Sequence, residues 1–143
     1  MGNDPVPFNY DELTVKAEDN NLGKIQGFID ERLEASGCSL KAQMQIGVAV
    51  EEIFVNICHY AYKGDTGDAT IKVRIDKEFA EIVFEDSGMQ YDPLANEDPD
   101  ITLSAEERQI GGLGIFITKK TMDDVAYEYR DNKNILTLRK KIS

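Results

Sequence analysis

The run from Lys41 to Tyr62 has the apolar spacing of a long amphipathic helix, and it stops before "KGDTGD", where two glycines break the pattern. On a helical wheel at about 100° per residue its apolar face is broad. That face contains Ile46, Val50, Ile53, Phe54, Ile57 and Ala61. We therefore expect the helix to pack this face into a core.

The remaining segments supply two more helices, one of them the short apolar helix that follows the glycines of "IGGLGIFITKKTM", and several strands. A helix is predicted over Leu22 to Leu33, and strands are predicted over Asp11–Ala17, Ile71–Ile75, Ala80–Phe84, Val125–Tyr129 and Ile135–Leu138. Helices and strands intermix, while the closing strands form a hairpin around "RDNKN". The predicted class is α+β, a two-layer sandwich of a mixed, mostly antiparallel sheet with helices on one face.

Length and charge restrict the functional classes. The 143 residues fit one domain, 1–143, with a core of about 11–141. A net charge of −11 disfavours nonspecific binding to nucleic acid or to an anionic membrane. No segment reads as a signal peptide or a membrane helix, so we expect a cytoplasmic protein. Cys38 and Cys58 give neither a disulfide framework nor zinc spacing.

Polar residues cluster on one flank of the long helix. Gln45, Glu52, Asn56, His59 and Lys63 fall in a sector roughly 60° wide, whereas Glu51 faces the other side, toward solvent. The flank is either a solvated stripe with an i,i+4 contact between Glu52 and Asn56, or the wall of a pocket. In a pocket, a carboxylate can act as a general base and an amide oxygen can ligate Mg²⁺. The wheel alone leaves both interpretations open.

Asp86 follows the predicted strand in "EIVFEDSGMQYDP" and shares the inward face of Ala80, Ile82 and Phe84 by the two-residue period. A buried carboxylate needs a partner. It either forms an Asx turn that ends the strand or accepts a hydrogen bond from an exocyclic amine such as that of adenine. Gly88 would let the backbone pass close to such a ligand.

Glycines precede the last predicted helix in "GGLGIF", Gly111 to Phe116. Backbone N–H groups at a helix start can hold an anion, although the spacing matches neither a P-loop nor a dinucleotide-binding fingerprint. Arg108 could meet a terminal phosphate or lie on the surface. The preceding stretch Pro93 to Gln109 is polar and acidic, and its length is typical of a functional loop.

The three stretches occur in the order E-x-x-x-N, D-x-G-x-x-[FY]-[DN]-P and G-G-x-G. This pattern resembles the GHKL (Bergerat) ATP-binding fold, and in its short form it most resembles the bacterial anti-sigma factor serine/threonine kinases. The resemblance runs from about Leu13 to Lys140.

The resemblance implies a role for each matching position. Glu52 would be the base that activates the attacking hydroxyl, Asn56 would ligate Mg²⁺, and Asp86 would accept the adenine amine beside Gly88. The remaining nucleotide-binding positions would border the triphosphate under an ATP lid at about 92–110. They are Arg108, Gly111, Gly112, Leu113 and Gly114.

The implied function is an ATP- and Mg²⁺-dependent serine/threonine kinase. It would be a homodimer that binds a sigma factor and phosphorylates a STAS-domain antagonist. The alternative is a non-enzymatic module whose nucleotide state sets its affinity for a partner. The sequence departs from the resemblance at His59, which follows Asn56 by three residues where four are typical, and in its long, acidic, glycine-poor lid.

Overall fold

Three helices and five strands form the described part of the computed structural model, residues 9–95 and 112–143. In chain order they are β1 (Asp11–Lys16), α1 (Leu22–Ala35), α2 (Leu40–Asn56), β2 (Asp68–Ile75), β3 (Phe79–Asp86), α3 (Gly112–Thr121), β4 (Asp124–Arg130) and β5 (Lys133–Lys141). Within those ranges, the helices are too short or too polar to cross a membrane.

The five strands form one sheet in the order β1-β2-β3-β5-β4. Each neighbouring pair is antiparallel, so the parallel pairing allowed by a mixed sheet is not found among the described strands. The predicted hairpin joins β4 to β5 through Asp131 and Asn132, whose φ angles of 55° and 63° fit a two-residue type I′ turn. The predicted α+β class is confirmed.

The core lies between one face of the sheet and the helices. Side chains of β3 alternate as predicted, and Ala80, Ile82 and Phe84 are buried on the helix side. The helices bury Ile25, Ile29, Leu33, Ile46, Val50, Ile53 and Phe54 against them. The other face of the sheet carries charged side chains, paired for example between Lys72 and Glu85 at 3.0 Å.

The start of α2 is fixed by the residues just before it. Gly37 takes a φ of 74°, which ends α1 in a left-handed conformation, and the Cys38 N–H donates back to the Leu33 carbonyl at 3.1 Å. The Ser39 hydroxyl then accepts a hydrogen bond from the Ala42 N–H at 3.1 Å and caps α2. These contacts set the residue at which α2 begins.

The end of α2 differs from the prediction. The regular α-helix ends at Asn56, and Ile57–Ala61 forms a π turn, so the predicted continuation to Tyr62 is wrong in its last turn. A π turn closes i→i+5 hydrogen bonds and therefore contains more residues than an α turn. Side chains after Asn56 consequently lie behind their positions on the α-helical wheel.

Tyr62 connects the end of this helical segment to the sheet. Its hydroxyl donates to the Asp68 carbonyl at 2.6 Å and accepts from the Ser87 N–H at 2.9 Å. A methyl group added at Gly67 would lie 2.2 Å from the Tyr62 ring, so only glycine permits this packing. The phenol thereby positions the loop that follows β3.

Candidate functional site

A cleft opens between the end of α2 and the ends of β3 and β5. It encloses about 490 Å³, including the space at its open mouth. Apolar walls are contributed by Ile53, Ile57, Phe84, Leu136 and Pro93, and polar groups by Asn56, Asp86, Asn134 and Tyr127. The side chains at its mouth are Tyr60, Met89 and Tyr91, which are 51%, 50% and 46% exposed.

Glu52 and Asn56 lie together on α2, one turn apart. The Asn56 Nδ2 atom donates to Oε2 of Glu52 at 2.8 Å, while Glu51 is exposed as predicted. Burial raises the pKa of Glu52, the Asn56 hydrogen bond lowers it, and the neighbouring Glu51 charge raises it, with a net increase. A carboxylate with a raised pKa is a better proton acceptor near neutral pH than an ordinary glutamate.

Gly114, in the first turn of α3, packs directly on Glu52. A methyl group added at Gly114 would lie 1.8 Å from Oε1 of Glu52 and 2.1 Å from its Cδ atom. Contacts that short do not occur between real atoms, so an alanine at position 114 would require the Glu52 carboxylate to move from its place beside Asn56. Gly112 and Leu113 lie in the same turn. The helical E-x-x-x-N pair and the glycine run thus meet at one place.

Asp86 ends β3 and is only 7% exposed. Its Oδ1 atom accepts from the Asn134 Nδ2 at 3.0 Å and from the Gly88 N–H at 2.9 Å. Burial raises the pKa of Asp86, and these two hydrogen bonds act in the opposite direction. The Gly88 bond forms the predicted Asx turn. Asp86 also lines the cleft, and its role toward an adenine amine remains a prediction.

Close packing against the Ala61 backbone accounts for glycine at position 88. A methyl group added there would lie 2.3 Å from the Ala61 carbonyl oxygen, and that oxygen accepts a hydrogen bond from the Met89 N–H at 2.8 Å. The loop after β3 is therefore held against the π turn. Ala61 is thus one close neighbour of Gly88, and the predicted approach of a ligand to Gly88 remains a prediction.

Other predicted site positions fall outside the described residues. They are Arg108, Gly111 and the part of the lid after Ala95, whereas Pro93–Ala95 forms a 3-10 turn. Their predicted roles toward the triphosphate remain predictions.

His59 lies in the π turn, so the α-helical wheel does not give its direction. It is exposed, its Nε2 lies 2.9 Å from Oδ2 of Asp19, and the next residue, Tyr60, lines the cleft. Cys58, also in the π turn, is half-buried. Burial, together with the Asp19 carboxylate, raises the pKa of its thiol to about 12.

The sequence interpretation missed Asn134 and Tyr127. Asn134 pairs directly with Asp86 across β3 and β5 and is 7% exposed. A signal was available, since Asn134 has the same two-residue parity as the buried Leu136 and Leu138. Tyr127 precedes the turn, and its hydroxyl donates to Oδ1 of Asn134.

Polar atoms at the cleft remain available for further contacts. Oδ2 of Asp86, which lines the cleft with the apolar walls, takes part in neither of the two bonds formed by Oδ1. The Asn56–Glu52 bond uses the amide nitrogen of Asn56, so the amide oxygen, which is the atom suited to Mg²⁺, is not committed to it. Within residues 9–95 and 112–143, His, Cys, Asp and Glu do not form a metal-binding group of three.

Known proteins resemble this chain over most of its length. The chain is 28% identical over 130 residues to the serine-protein kinase RsbW of Listeria monocytogenes serotype 4a, covering 87% of this chain and 82% of that protein. It is 27% identical over 128 residues to the serine-protein kinase RsbW of Oceanobacillus iheyensis, covering 82% and 78%. The family profile of the histidine kinase-like ATPase domain matches residues 15–140. The chain therefore belongs to the histidine kinase-like ATPase domain family.

Proposed function

We propose that this protein is an ATP- and Mg²⁺-dependent serine/threonine protein kinase that acts as an anti-sigma regulatory factor. Its substrate would be a STAS-domain antagonist of the sigma factor, and its site of action would be the cytoplasm, where sigma factors work. A homodimer is part of the same proposal. The names of the relatives, serine-protein kinases, support the reaction type.

One observation carries the proposal: the Glu52 carboxylate, bonded by Asn56, lies against the first turn of α3 at Gly114. The start of a helix favours anionic groups, so phosphate groups bound there would lie near Glu52. Glu52 is then placed to accept the proton of an attacking serine or threonine hydroxyl. Its raised pKa suits that role.

The other site residues would bind and orient ATP. Asp86 would accept the exocyclic amine of adenine, with the base between the apolar walls of the cleft. Asn56 would contribute its amide oxygen to the metal, and Mg²⁺ supplies neutralisation of the phosphate charge. The chain carries a net charge of −11, so this neutralisation matters more here than in a basic protein.

The test is phosphoryl transfer from radiolabelled ATP to a purified STAS-domain protein from the same genome, with and without EDTA. We expect Glu52→Ala to reduce transfer by about 10²- to 10⁴-fold, the usual contribution of a general base, while ATP binding persists. Glu51→Ala is the matched control, because it removes the adjacent, exposed carboxylate. EDTA should abolish transfer.

Two outcomes would contradict the proposal. Equal transfer by the wild type and Glu52→Ala would remove Glu52 from the base role. ATP binding without transfer to any STAS-domain protein, combined with nucleotide-dependent affinity for a partner, would instead support a non-enzymatic adaptor.

A further inference from the structure

Asn134 lines the cleft, and its side-chain amide forms four hydrogen bonds. It is 7% exposed, on the inward face of β5, and stands opposite Asp86 in the sheet. Both halves of its amide are used. The amide oxygen accepts from the Tyr91 N–H at 3.1 Å and from the Tyr127 hydroxyl, and the amide nitrogen donates to Oδ1 of Asp86 at 3.0 Å and to the Met89 carbonyl at 2.9 Å.

These partners determine which way the amide points. The backbone N–H of Tyr91 can only donate and the carbonyl of Met89 can only accept, so the oxygen of Asn134 must face Tyr91 and its nitrogen must face Met89. The nitrogen is then also the atom that meets Asp86. Asn134 therefore presents a donor to the carboxylate.

The donor reaches one oxygen of that carboxylate. Asn134 and the Gly88 N–H both bind Oδ1 of Asp86, so this oxygen is held by one donor on β5 and one in the loop after β3. Oδ2 takes part in neither bond, and Asp86 lines the cleft. Oδ2 is accordingly the oxygen available to a donor on a bound ligand.

We propose that Asn134 is a positioning residue for base recognition: by holding Oδ1 of Asp86 it directs Oδ2 toward the 6-amino group of a bound purine. It thereby sets the preference for a 6-amino purine over purines that lack this donor. The proposal rests on the proposed ATP-binding function. Asn134 itself acts through Asp86 and through the loop at Met89 and Tyr91, which it ties to β5.

The test compares two nucleotides that differ only at C6 of the base. ATP carries the amine, and purine riboside triphosphate carries hydrogen there. Their dissociation constants would be measured by calorimetry for the wild type and for Asn134→Ala. A hydrogen bond to a charged group should give the wild type a preference for ATP of about tenfold or more, and Asn134→Ala should reduce it below about threefold.

The control variant is Thr137→Ala, on the same strand but on the opposite face of the sheet by the two-residue parity. It should keep the wild-type preference. Tyr127→Phe provides a milder second variant, because it removes only the hydroxyl that bonds the Asn134 oxygen. We expect an intermediate preference, and this variant tests the proposal even where Asn134→Ala does not fold.

The outcomes separate this inference from the proposed function. A merely structural Asn134 would weaken both nucleotides equally and leave their ratio unchanged, which would overturn the positioning role while ATP binding stands. A wild-type protein that binds ATP and the 6-hydrogen analogue equally would overturn it as well. A wild-type protein that binds neither nucleotide would contradict the proposed function itself.

Discussion

Glu52 and Asp86 are two carboxylates whose pKa values are raised by burial. Burial disfavours the ionised form, so at neutral pH each charge lowers the stability of the folded chain. This penalty shrinks as the pH falls below the raised folded pKa, and it is gone below the ordinary pKa that the group has in the unfolded chain. Residues kept for function often reduce stability in this way.

The first prediction at the residue scale concerns Glu52→Gln. The amide keeps the shape and can still accept from Asn56, but it carries no charge, so we expect a higher Tm at pH 7. Roughly 3 °C would correspond to about 1 kcal/mol for a chain of this size. The gain should shrink as the pH is lowered through the folded pKa of Glu52.

Thermal melts from pH 4 to pH 8 measure this effect, with Glu51→Gln as the control that removes an exposed charge. A Tm for Glu52→Gln that is unchanged or lower at pH 7 would show that the Asn56 hydrogen bond outweighs the burial of the carboxylate.

At the scale of elements, the Glu52 carboxylate of α2 occupies the space that a side chain at position 114 of α3 would fill. Alanine in a helix is favoured over glycine by about 1 kcal/mol. Gly47, in α2, has no atom within 4 Å of an added methyl group, so Gly47→Ala should raise Tm by roughly 3 °C. Gly114→Ala should not, because its methyl group would collide with Glu52.

A double-mutant cycle makes this prediction specific. When Glu52 is first replaced by alanine, the obstruction is gone, and Gly114→Ala should then become stabilising. Additive effects of the two substitutions on Tm would mean that Gly114 is glycine for another reason.

The elements also show how far the sequence could be interpreted. Helical periodicity correctly separated Glu52 from Glu51, and strand parity correctly placed Asp86 on the inward face. The helical wheel does not apply at His59, since a wheel assumes one constant angle per residue and a π turn changes that angle. Asn134 was missed because a polar residue beside a turn looks like part of the turn. Its importance appears only when β5 is paired with β3.

At the scale of the whole molecule, charge is the dominant feature. The chain has 27 acidic residues, 16 lysines and arginines, and a net charge of −11. At low ionic strength the repulsion acts over about 30 Å, whereas at physiological ionic strength it acts over about 8 Å. The cross-strand ion pairs, such as Lys72–Glu85, are local exceptions to a mainly repulsive surface.

We therefore expect Tm to rise by a few degrees when NaCl is increased from about 0.02 M to about 0.3 M, because screening weakens the net repulsion. Differential scanning calorimetry at constant pH measures this change in Tm. A fall in Tm over this range would indicate that the ion pairs on the outer face of the sheet contribute more than the repulsion removes.

The π turn at Ile57–Ala61 also affects how this chain is compared with its relatives. An i→i+5 turn amounts to one residue inserted into an α-helix. An alignment made without gaps does not show this insertion and pairs side chains that are not equivalent. A relative with a regular helix here would need a one-residue gap after Asn56 before equivalent side chains match. Deleting one residue from the turn would likewise rotate Ala61 away from Met89 and release the loop that carries Gly88.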